Sequence, residues 1–157
     1  LYTVDDLENT LHAMQDKIDT LKKSASSKQA RIKEVDELLR MVDYYKSGKP
    51  AADKLKFIRF EKSRQKYKAE HNNELRTFYM AERKLKPYFK DGKLPITAWR
   101  REQEQLEQEY RDIQTELSPL HADVKKLWAI HYNIYEVQHE QKRQNAATRQ
   151  KKQEIEH

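Results

Sequence analysis

From Val4 the sequence places Leu7, Leu11, Met14, Ile18, Leu21, Ala25, Lys28, Ile32, Val35, Leu39 and Val42 at alternating steps of three and four, and only Lys28 is not apolar. A stripe of that period fits one face of an α-helix and needs a partner helix to cover it. Asp5 and Asp6 fall in the first turn, where the helix dipole favours negative charge. Ser47-Gly48-Lys49-Pro50 reads as a stop signal, so this helix is expected to end near Tyr45.

A second stripe runs Trp99, Gln103, Leu106, Tyr110, Ile113, Leu117, Leu120, Val124, Leu127, His131 and Ile134, with Val137 beside it. Thr97 is placed to cap its N-terminus. Pro119 falls inside the stripe without resetting it, so a continuous helix with a kink is expected there. The two stripes are equally long, roughly 57 Å each at about 1.5 Å per residue. Equal lengths favour an antiparallel intrachain hairpin, with facing residues whose numbers sum to about 141. Pairing in trans between two molecules would use the same seam. The register also sets Ser24-Ala25-Ser26-Ser27, a poor helix-forming stretch, opposite Leu117-Ser118-Pro119. That is either a built-in bend or small residues accommodating a kink.

The composition agrees with long solvated helices: 37% charged and 36% hydrophobic residues, two Gly and four Pro. The expected class is all-α, a long antiparallel two-helix coiled-coil hairpin with a small helical head between the arms. The corresponding division is 1–45 for the first arm, 46–96 for the head and 97–138 for the second arm, kinked near Pro119. Residues 139–157 form a polar helical extension or frayed tail. Within the head, a short helix or broken turns is expected over 53–68, anchored by Leu55, Ile58 and Phe60. A break follows at His71, with Asn72 or Asn73 capping a helix that carries Leu75, Phe78, Ala81 or Glu82, Leu85 and Tyr88 or Phe89. These short helices should pack against the Val42/Trp99 end of the hairpin.

Charge is sharply partitioned. Lys46 to Arg101 holds 17 Lys plus Arg and six Asp plus Glu, a net of +11, while the remainder holds 15 and 20, a net of −5. The densest part, Lys54, Lys56, Arg59, Lys62, Arg64, Lys66 and Lys68, is interleaved with Phe57, Phe60 and Tyr67. Concentrated cations with aromatics between them are the footprint of a phosphate-backbone binder, and these seven cations are the candidate nucleic-acid-binding residues.

Signals for other chemistry are missing from the sequence. With no cysteine, there is no disulfide frame and no thiolate metal site, a composition that fits a reducing compartment. The six histidines, His12, His71, His121, His131, His139 and His157, show no metal-ligand spacing, so no metal or cofactor is expected. His131 lies on the seam and reads as a structural histidine. Tyr44-Tyr45 invites comparison with nucleophilic tyrosines, but no base or metal set accompanies it, and the pair reads as closing the helix end. No catalytic residue is assigned. No apolar run is long enough to span a membrane, and a cytoplasmic location is expected. The chain begins at Leu1 rather than Met, which suggests a piece of a longer protein.

Scattered residues carry a family likeness. Tyr44-Tyr45-Lys46, the run Arg64 to His71, Glu74-Leu75, Phe78 to Leu85, Leu94 to Trp99, and Ser118-Pro119-Leu120 with Val124 to Leu127 resemble the helical C-terminal region of relaxases. These are the mobilisation nucleases of conjugative and mobilisable bacterial elements. The resemblance covers most of residues 38–142 and includes no catalytic motif. It implies a DNA-processing setting in the bacterial cytoplasm, with DNA or other proteins of the transfer machinery as partners. It lends no support to Tyr44 or Tyr45 as nucleophiles, because the family's nuclease domain is not in this sequence. Three functions stand side by side: a relaxase accessory region contacting DNA, a structural coiled coil that oligomerises, and an RNA-binding coiled hairpin. The oligomeric state is left open.

Overall fold

The computed structural model describes residues 3–156; His157, the last of the six histidines, lies outside them. The chain forms α1 (Val4–Phe57), α2 (Glu61–Glu70), α3 (Asn72–Leu85), a short 3₁₀ turn (Lys86–Tyr88) and α4 (Ile96–Glu156). No strand occurs among the described residues, and the two long helices pack against each other. The class read from the sequence is thus the class observed. The chain divides into two compact units, one of residues 1–26 with 111–157, the other of residues 27–110. On α1 the division falls inside the serine run; on α4 it falls at Tyr110–Arg111, short of Pro119.

The first helix does not stop near Tyr45. It continues through Ser47-Gly48-Lys49-Pro50 for a further three turns. Gly48 is buried, and a Cβ there would lie 2.6 Å from Cβ of Phe78 and 3.0 Å from the carbonyl oxygen of Glu74. Its glycine lets α3 approach the α1 backbone, rather than ending the helix. Pro50 and Lys46, whose carbonyl loses its intrahelical partner to the proline, are both exposed, so water can replace that bond. Local breaker chemistry is overridden by a tertiary contact.

Unit 27–110 has two adjoining cores. Val35, Met41 and Val42 of α1 meet Ala81 and Leu85 of α3 and Trp99 of α4. Nearby, Ala51, Ala52 and Leu55 of α1 pack with Leu75 and Phe78 of α3. Tyr45 joins the two clusters, stacked on Phe78 at 5.0 Å between ring centroids and tilted against Phe89 at 5.6 Å. It closes a core rather than a helix end. Of the short helices, α3 packs at the Val42/Trp99 end as expected, whereas α2 is tied to α1 farther on, at Ala51, Leu55 and Ile58. Ala81, not Glu82, is the buried member of its pair, and Phe89, not Tyr88, enters the core.

Polar side chains fix the α1–α4 pairing within this unit. Arg31 grips Glu102 with two bonds, Nε to Oε1 at 2.5 Å and Nη2 to Oε2 at 3.1 Å. Lys28, the one polar member of the first stripe, donates to Glu109 at 2.7 Å, and Gln103 donates to Asp36. The guanidinium of Arg31 holds the Glu102 carboxyl below the usual carboxylate range, and Lys28 does the same to Glu109. The chain reverses between the short helices and α4 at Lys90-Asp91-Gly92-Lys93. There Lys90 and Lys93 exchange both backbone bonds at 2.9 Å, and Asp91 and Gly92 hold φ of +51° and +74°. Asp-Gly suits a turn with two left-handed residues.

In the other unit, the early part of α1 meets the later part of α4. Leu7, Leu11, Ile18 and Ala25 are buried, with Ile113, Leu117 and Val124 opposite. Lys17 pairs with Glu116 at 3.4 Å, and His131 bonds Glu8 at 3.1 Å, a seam histidine with a structural partner. These pairs, like those of residues 27–110, run antiparallel, but their numbers sum to 133–139 rather than to the expected 141. Helix α4 passes through the exposed Pro119 without interruption.

The helix starts differ from expectation. Thr3 and Asp6 bond each other's backbone N–H at 3.1 and 3.0 Å, a reciprocal cap that holds the Asp6 carboxyl below its ordinary range. Neither Asn72 nor Asn73 caps α3; His71 occupies the cap position, with no side-chain cap bond. Thr97 lies inside the first turn of α4, where the Trp99 N–H donates to the Pro95 carbonyl at 3.0 Å.

Candidate nucleic-acid interface

All seven cations singled out in the sequence fall on one short stretch: the last turn of α1, the junction after it, and α2. Lys54 and Lys56 are exposed at the end of α1, Arg59 is exposed in the junction, and Lys62, Lys66 and Lys68 are exposed on α2. None of them pairs with a carboxylate among the described residues. That sets them apart from Lys49, paired with Asp53, and Lys84, paired with Glu37.

Arg64 is the exception. Half-buried, its Nη1 donates to the carbonyls of Leu55 at 2.9 Å and Ile58 at 3.1 Å. Both lie where α1 ends: the Leu55 carbonyl also accepts the Ile58 N–H at 3.3 Å, and Ile58 is the first residue past the helix. Tyr67 acts similarly, donating its hydroxyl to Ala51 O at 3.0 Å and packing its ring on His71 at 4.2 Å. Together Arg64 and Tyr67 fasten α2 to α1. The helix needs them, because none of its ten residues is buried and an isolated helix so short is marginal in water. Its contribution to a core is half-buried Tyr67, which packs against the Ala51–Phe78 cluster, and apart from Arg64 its other side chains are exposed.

Phe57 and Phe60 bracket the junction, and sequence reasoning misplaced Phe60 as an anchor. Phe60 is 77% exposed and Phe57 83%, whereas Leu55 is buried and Ile58 half-buried. Phe60 also occupies the α2 cap position without a side-chain bond, a place where Ser, Asp or Asn would serve the helix better. Two large apolar rings in water, one of them replacing a capping residue, are costly to the fold. Such local inconsistencies concentrate where function demands them.

The sequence reading also missed Arg76. It lies on α3 with Asn72 and Tyr79 at helical spacing, and the fold brings it to one groove with Arg64 and Lys68. Among the described residues no group of His, Asp or Glu side chains is arranged to hold a metal, and no helix is long and apolar enough to cross a membrane.

The chain matches no family model, no curated protein and no solved structure. No comparison links the chain to relaxases, and the site is read from its own chemistry.

Proposed function

We propose that this protein binds nucleic acid through its head without sequence preference. Lys54, Lys56, Arg59, Lys62 and Lys66 contact phosphates, and Phe57 and Phe60 stack on bases of an unpaired stretch. The observation that carries this reading is the pair of exposed rings set among cations that have no carboxylate partner. Cationic tracks with aromatic platforms are how proteins hold single strands irrespective of sequence. Read with the relaxase likeness, the strand is DNA rather than RNA, and the chain acts as a non-catalytic accessory region of a DNA-mobilisation protein in the bacterial cytoplasm.

Fluorescence anisotropy with a labelled oligonucleotide tests it. With about five phosphate contacts, affinity for a single strand should fall about 100-fold between about 50 and 200 mM salt. Lys62→Glu with Lys66→Glu should weaken binding to all sequences alike and leave helicity unchanged. Phe57→Ala with Phe60→Ala should cost about 1–3 kcal/mol per lost stacked base on single strands and far less on duplex. No binding at low salt, or binding indifferent to salt, rejects the reading, and competition between DNA and RNA strands separates the two acids.

A second reading, self-association or docking of a protein partner along the coil, is favoured by Trp128, Tyr132 and Tyr135. These lie on one face of α4 and are 51–61% exposed. Sedimentation of Tyr132→Ser with Tyr135→Ser against the unaltered chain tests it, with loss of an oligomer as the supporting result.

A further inference from the structure

The cations of the head are not all on the junction face. A separate open groove is lined by Arg64 and Lys68 from α2 and by Asn72, Arg76 and Tyr79 from α3. Its floor is Leu55 and Leu75, both buried. No Asp or Glu lines it, and neither Lys68 nor Arg76 has a carboxylate partner among the described residues. Arg64 reaches the carbonyls where α1 ends through Nη1 alone, so Nε and Nη2 keep donors to offer.

Three positive groups that share one groove repel each other, and the apolar floor weakens the screening between them. Apart from the two carbonyls that Arg64 bonds, no group lining the groove offsets that repulsion. A ligand that does so must be a compact anion. A carboxylate or an internal phosphodiester carries a single charge and would leave the groove strongly positive. A phosphomonoester carries nearly two charges near neutral pH and has three peripheral acceptor oxygens, one for each cation. Asn72 and the Tyr79 hydroxyl add neutral donors at the rim.

We propose that this groove is a phosphomonoester pocket, and that on a nucleic-acid strand it selects a terminal phosphate over the internal ones. The second clause rests on the function proposed above; the first does not. Free phosphate or a mononucleotide would satisfy the same chemistry, and the experiment separates these sources from a strand end.

The full chain is titrated with one oligonucleotide bearing a 5′-phosphate, a 3′-phosphate or hydroxyl ends, and with inorganic phosphate alone. A phosphorylated end should bind about tenfold tighter than the hydroxyl-ended strand. That advantage should shrink below about pH 6 as the monoester takes up a proton. Arg76→Gln should remove most of the advantage while leaving the hydroxyl-ended strand within about twofold, and Phe57→Ala with Phe60→Ala should do the reverse. Inorganic phosphate should perturb the Arg76 and Lys68 side-chain NMR signals in the unaltered chain. If phosphate perturbs those signals while no oligonucleotide binds, the pocket stands and the nucleic-acid reading falls. If all three strands bind equally and phosphate perturbs nothing, the pocket is overturned and nucleic-acid binding survives.

Discussion

The same two helices contribute to both units, and they cover their apolar surface unequally. In residues 27–110, α3 lies over α1 and α4, so Val35, Ala81 and Leu85 reach zero exposure. In residues 1–26 with 111–157 only two helices meet. Ile18 and Leu11 are well covered there, but Ile130, Tyr132, Tyr135 and Val137 remain about half in water. A pair of helices can hide one stripe each, and the flanks need a third element. Unit 27–110 is therefore built like a small globular domain, and the other like a bare coiled coil.

The largest expected effect lies at the three-helix core. Leu85→Ala should cost about 2–5 kcal/mol in chemical denaturation. A cost under about 1 kcal/mol would mean that α3 is not integral to that unit. Next comes Gly48→Ala, where sign matters more than size. In an ordinary solvated helix this change stabilises by about 0.5–1 kcal/mol. Against Phe78 it should instead destabilise by about 1–3 kcal/mol, read as a lower midpoint with an unchanged slope.

A smaller effect follows from Glu102 and Glu109. Both carboxyls sit below their ordinary value of 4.5 in the folded chain. Their contribution is therefore present above about pH 4.5 and lost as pH falls through the lower folded values. Hydrogen-exchange protection near Lys28–Asp36, taken relative to the intrinsic rate at each pH, should fall in acid, and Glu102→Gln should flatten that response. The smallest effect is expected at the exposed face of α4, where Trp128→Ala should change stability by no more than about 0.5 kcal/mol. A larger loss there would show that a partner covers this face.

Both stripes were legible because helical periodicity converts directly into burial. Every member of the first is buried or half-buried, including Lys28, and in the second only Val137 is not. Val137, 57% exposed, lies beyond Ile134, the last half-buried member of the stripe. The false stop at Ser47–Pro50 shows what a local rule cannot see: Gly48 is explained by a side chain thirty residues away. The cationic stretch was readable as composition, but not the roles within it. Nothing in the sequence separates Arg64, turned back onto the carbonyls where α1 ends, from Lys62 and Lys66, which are exposed. Arg76 was hidden for a related reason, since its neighbours in the groove come from the helix on the other side of the His71 turn.

The distances along the chain between paired residues carry a kinetic consequence. Arg31 and Glu102 are 71 residues apart, and Glu8 and His131 are 123 apart. Drawn together from an open chain, each pair would close a long loop, which is slow for a helical protein. Once Tyr45, Phe78 and Phe89 have met and the Asp91-Gly92 reversal has formed, the next pair along the helices has almost no loop left to close. Folding should then travel as a zipper, starting where three helices meet and reaching the Thr3 cap last. Truncations within residues 1–26 should leave the refolding rate nearly unchanged and speed unfolding instead.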